Sequence, residues 1–215
     1  MGFLFGLLLI SFLLYTCNMH LGKINKNVRI FYLANSFYYG SFDIINTFLA
    51  VLITNKITDG RLDAIGLVVG YYMFLRAAIE VPLTKVTNKW SQRTKIRFIT
   101  VSALIYGVLI ACMGFAESLW VVFTIQTFLA VIDALTYPMK WAIFSNIIDK
   151  GNEETEWSLE DTLSVVTTAT FAVVGGILAQ KYGLELLFII MGIMFALSGL
   201  SFHFMRIRHN KFIKD

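Results

Sequence analysis

An aspartate inside a long apolar run needs a chemical reason, and this sequence holds two, Asp43 and Asp133. An ionisable side chain at membrane depth costs roughly 2.5–3.5 kcal/mol, so it needs a partner or a water-filled cavity, where it can carry a proton or a cation. Neither acid stands alone. Ser36, Tyr39, Asp43 and Asn46 recur at helical spacing and share one helix face. Gln126, Asp133, Tyr137 and Lys140 do the same further on, with Pro138 loosening the local hydrogen-bond ladder. Two readings of these stripes stand side by side: a solute or ion pathway, or polar contacts that join neighbouring helices. Arg76 and Glu80 lie four residues apart and can neutralise each other on one face, or serve a solute or a conformational switch.

Other chemistry has no support. The sequence contains no G-x-S-x-G, no H-E-x-x-H, no phosphate-binding glycine loop and no Cys/His ligand set. Its histidines, His20, His203 and His209, fall near the ends of apolar runs or in tails. An enzyme, a metal site and a cofactor are therefore not expected. Cys17 and Cys112 read as small buried hydrophobes.

The elements that must hold the stripes follow from composition. The 215 residues are 57% hydrophobic and only 15% charged, against roughly a quarter charged in soluble domains. Apolar windows run at 2–17, 30–53, 64–83, 98–116, 119–141, 163–179 and 184–205. They are continuous rather than alternating, which excludes a membrane barrel and predicts an all-α, polytopic membrane bundle. Six windows form the core of that bundle. The first, only 16 residues long, either spans as an extra N-terminal helix or is the remnant of one.

Charge placement predicts orientation. Fourteen of the 18 Lys and Arg fall on one side: Lys23, Lys26, Arg29, Lys85, Lys89, Arg93, Lys95, Arg97, Lys140, Lys150, Arg206, Arg208, Lys211 and Lys214. Lys56, Arg61 and Lys181 fall on the other. The basic excess marks the cytoplasmic side, which puts the C-terminus in the cytoplasm of a plasma-membrane protein. The net charge of +4 is thus assigned to topology, and no nucleic acid partner is expected. The connector 149–162 is acidic and faces either the basic loop, as a latch, or solvent, with Trp157 as an interfacial anchor.

The basic loop "TKVTNKWSQRTKIR" between the second and third bundle helices resembles the loop motif of the major facilitator superfamily. Thr84 falls on its first glycine, Asn88 on its aspartate, Lys89 on its basic position, Ser91 on its second glycine and Arg93 in its closing basic pair. Both glycines and the acid are absent here. A closer likeness is "YPMKWAIFSNIIDKGNEETEWSLEDT" followed by "AVVGGILAQKYGLELLFIIMGI", which looks like the fourth to sixth helices of such a bundle, with Gly175 and Gly176 as its glycine pair. Ser164, Thr168, Ala172 and Gly175 put small residues on one face of the fifth helix, suited to close or sliding contact.

The resemblance implies a half-size member: a hydrophobic segment and basic linker at 1–28, one six-helix bundle at 29–206 and a basic tail at 207–215. It implies secondary transport of a small solute by alternating access, with the first and fourth helices lining the pathway. Because such transporters use two bundles, the expected partners are a second copy or another transporter half, besides the lipid bilayer. The rival expectation is a non-transporting scaffold or accessory subunit, or a fragment of a longer permease.

Overall fold

The computed structural model describes residues 24–205. The apolar segment 2–17 and the tail 207–215 lie outside them. Six helices follow one another: α1 (Lys26–Leu52, continued by a π-helical turn at Ile53–Ile57), α2 (Leu62–Thr87), α3 (Gln92–Met113), α4 (Leu119–Ile147), α5 (Glu153–Tyr182) and α6 (Leu184–His203). Even the shortest, α6, has 20 residues and rises about 30 Å, the thickness of a bilayer core. All six are long and apolar enough to cross a membrane. The protein is an integral membrane protein with an all-α fold.

Helix ends follow local chemistry. Asn25 caps α1 by accepting from Asn27 N at 3.1 Å, and Ser91 caps α3 by accepting from Thr94 N at 3.2 Å. Thus Ser91 of the basic loop starts a helix, Asn88 closes α2, and Lys89 and Arg93 are exposed beside them. The turn from α5 to α6 is the single residue Gly183, at φ +91°, a conformation that L side chains rarely adopt.

Packing is pairwise. α3 lies along α6, α1 lies against α5 and α6, and α2 lies along α4. The α3–α6 seam is the tightest: a Cβ on Gly107 would run into the Gly192 carbonyl oxygen, and one on Gly199 into Ala103. Gly175 meets Ile44 of α1, while Gly176 has open space around it. Only 11% of the apolar window of α5 and 17% of that of α2 is buried, against 50% for α3. These two rim helices carry exposed groups such as Phe74, Val165 and Ile177, which need lipid or another apolar surface.

The core has two apolar layers. One contains Leu49, Ile110, Leu129 and Phe188; the other, at the basic end, contains Phe31, Ile143, Phe144 and Phe202. Phe31 stacks on Phe144 at 4.5 Å, and Trp157 stacks on Trp141 at 5.0 Å. Trp157, read from sequence as an interfacial anchor, is 39% exposed at the edge of this aromatic cluster. On α4 the first layer ends at Ala130 and the second begins at Met139. Asp133 lies between them.

Candidate functional site

Asp133 is 1% exposed, and both its oxygens are occupied. Tyr38 of α1 donates to Oδ1 at 2.6 Å, Tyr72 of α2 donates to Oδ2 at 2.8 Å, and Arg76 Nη1 reaches Oδ2 at 2.9 Å. Three helices thus converge on one carboxylate. Charge-assisted bonds of this kind are the strong ones, and low dielectric strengthens them further. Arg76 also donates through Nε to Glu80 at 3.1 Å, so the i,i+4 pair exists but forms one arm of a larger network. The guanidinium lies 4.3 Å from the centre of the Tyr137 ring. With side-chain exposures of 22% and 28%, Arg76 and Glu80 carry the network from the interior towards the open face of the bundle.

Lys140 is one helical turn and three residues beyond Asp133, and its residue exposure is only 2%. Its ammonium rests 3.3 Å from the centre of the Tyr38 ring and 4.7 Å from that of Tyr39. Among the described residues, Nζ has no hydrogen-bond acceptor. Counted in the sequence among topological charges, Lys140 is instead an interior cation held by aromatic faces, each worth up to about 2 kcal/mol when desolvated. A cavity of about 20 Å³ adjoins it, lined by Tyr106, Thr136, Phe195 and Ser198 among others.

The two sequence stripes have different surroundings. Gln126, Asp133 and Lys140 are buried and Tyr137 is half-buried, so the α4 stripe lies largely inside the bundle. On α1, Ser36 and Tyr39 are half-buried, whereas Asp43 and Asn46 are exposed. Asp43 Oδ2 accepts from Thr168 of α5 at 3.2 Å. No hydrogen bond or ion pair joins Asp43 to Asp133 or Arg76 among the described residues.

Of the connector acids, Glu160 turns onto α1 and Glu156 is buried at the start of α5, whereas Glu153, Glu154 and Asp161 are exposed. Glu160 accepts from Asn35 and from Ser164, the latter at 2.9 Å, while Tyr32 donates to the Glu156 carbonyl at 2.9 Å. Among the described residues, no ion pair joins these acids to Lys85, Lys89, Arg93 or Lys95. Glu160, bound to Asn35 and Ser164, is not free to face the opposite loop, and the exposed Glu153, Glu154 and Asp161 match the solvated alternative. At the far end Lys56 reaches Glu185 at 2.7 Å and the Gly114 carbonyl at 3.2 Å, tying α1, α3 and α6 together.

Sequence reasoning missed Tyr38 and Tyr72. Tyr72 was accessible: with Arg76 and Glu80 it forms an i, i+4, i+8 stripe on α2. Tyr38 was hidden beside Tyr39, because choosing between adjacent tyrosines requires the helix's rotation within the bundle.

Six helices long and apolar enough to span a membrane, around a layer of buried, paired charge, define a polytopic helical membrane protein. The sequence profile of the Major Facilitator Superfamily matches residues 31–212, most of the chain, and the protein belongs to that family. The family is one of secondary transporters. Comparison with curated proteins returns no match.

Proposed function

We propose that this chain is one bundle of a secondary transporter that moves a small solute by alternating access, with a second copy or another transporter half supplying the opposite wall. The observation that carries this reading is the charged layer between two apolar layers, reaching from buried Asp133 through Arg76 to the open face at Glu80. A lone bundle has no second wall for that face. A two-fold axis along the membrane normal would bring α1 and α4 of two copies together around a shared pathway. The protein resides in the plasma membrane, with its basic end and C-terminus in the cytoplasm.

Spin labels at Lys89 and at Asp59, in a background lacking Cys17 and Cys112, report the two ends of the assembly in nanodiscs. Rocking bundles give two distances at each end, with the populations moving oppositely. Cysteines at Asn46 or Tyr137 should cross-link between copies of the chain, or to a co-purifying half. A single fixed distance, or a monomer with neither cross-link nor partner, would turn the assignment to a scaffold or to a piece of a longer permease.

A further inference from the structure

Three charges sit near the middle of their helices: Asp43, Arg76 and Asp133. Two of them satisfy each other, since Arg76 is bound to Asp133 and to Glu80. Asp43 is left over. Among the described residues no ion pair reaches it, and its one side-chain partner is the Thr168 hydroxyl at 3.2 Å. A single interhelical hydrogen bond in a membrane averages about 0.6 kcal/mol, well short of the roughly 2.5–3.5 kcal/mol cost of the carboxylate at that depth. The wider count points the same way. Away from helix ends the acids Asp43, Glu80, Asp133, Glu160 and Asp161 outnumber the bases Arg76 and Lys140.

We infer that Asp43 anchors a cation site on the open α1–α5 face, and that the transported solute is a small organic cation. Asn46 lies near Asp43 on the same exposed stretch of α1 and offers an amide oxygen. Tyr39, four residues earlier and half-buried, adds an aromatic ring beside it. The assignment rests on the transporter reading, and the two-fold arrangement strengthens it. A second copy brings a second Asp43 to the shared pathway, while the base nearest the middle of α1, Lys140, is buried on the Tyr38 ring and makes no ion pair with Asp43 among the described residues, which leaves the solute to supply the counter-charge.

The test uses purified protein in nanodiscs and thermal unfolding as the readout of binding. The probes are benzylamine, tetramethylammonium, guanidinium and sodium, with benzoate and benzyl alcohol as the anionic and neutral counterparts of benzylamine. At least one organic cation should raise the unfolding midpoint in a saturable way. Its apparent affinity should weaken on the order of a hundredfold in Asp43→Asn and recover in Asp43→Glu. Without probe, Asp43→Asn should unfold no earlier than the native chain, because it removes an unpaired charge. Stabilisation by sodium alone would make Asp43 a coupling-ion site and overturn the solute assignment. So would stabilisation by no cation, equal stabilisation by benzoate or benzyl alcohol, or native affinity in Asp43→Asn. The spin-label distances separate the two claims: cation binding without rocking removes the transporter reading, and rocking without cation binding removes this one.

Discussion

Replacing Asp133 by asparagine keeps the shape of the side chain and removes its charge, which isolates the contribution of the ionic network. The carboxylate accepts from Tyr38, Tyr72 and Arg76 at 2.6, 2.8 and 2.9 Å. Asparagine retains one acceptor oxygen and turns an amide donor towards at least one of those donors. If the contacts were ordinary interhelical hydrogen bonds, three of them at about 0.6 kcal/mol each would lose less than about 2 kcal/mol in total. Breaking a buried charge pair costs about 3–5 kcal/mol, because the surviving charge is left without its partner. Here Arg76 keeps Glu80 and is 22% exposed, which places the expected loss near the lower bound, about 3 kcal/mol. Reversible unfolding in mixed micelles measures the difference. The same substitution in an Arg76→Leu background should cost less, with a coupling of about 2 kcal/mol. A loss below about 1 kcal/mol, or a loss unchanged by Arg76→Leu, would show that the pair does not organise the bundle.

The α3–α6 seam gives a second measurement. Gly107→Ala should destabilise by about 1–3 kcal/mol, since its Cβ meets a backbone carbonyl, whereas Gly176→Ala has open space and should be neutral or gain up to about 1 kcal/mol from helix propensity. Equal effects at the two sites would contradict the packing described. For orientation, single cysteines at Lys89 and Asp59 in a cysteine-free background should react oppositely with an impermeant thiol reagent: Asp59 in intact cells, Lys89 only after lysis. The reverse pattern would invert the topology.

The sequence by itself determined whatever depends on distance along one helix. Long apolar runs give spanning helices because backbone groups in lipid must bond within their own segment, so six windows became six helices. Arg76 and Glu80 meet because four residues make about one turn. What no spacing contains is the rotation of each helix and the choice of its neighbours. Tyr38 and Asp133 are 95 positions apart, and Tyr72 and Asp133 are 61 apart, yet all three share one carboxylate. Asp43 and Asp133 looked alike in sequence, each the acid of a polar stripe in an apolar run. Packing buried one beneath α1 and α2 and left the other on the open face, because α1 pairs with α5 and α6 while α4 pairs with α2. The sequence drew attention to Gly175 and Gly176, but the glycines with least room for a side chain include Gly107 and Gly192, on different helices that only the assembled bundle brings into contact. Tertiary structure decided these matters because helices in a membrane are selected by surface fit and by paired charge, both properties of two helices at once.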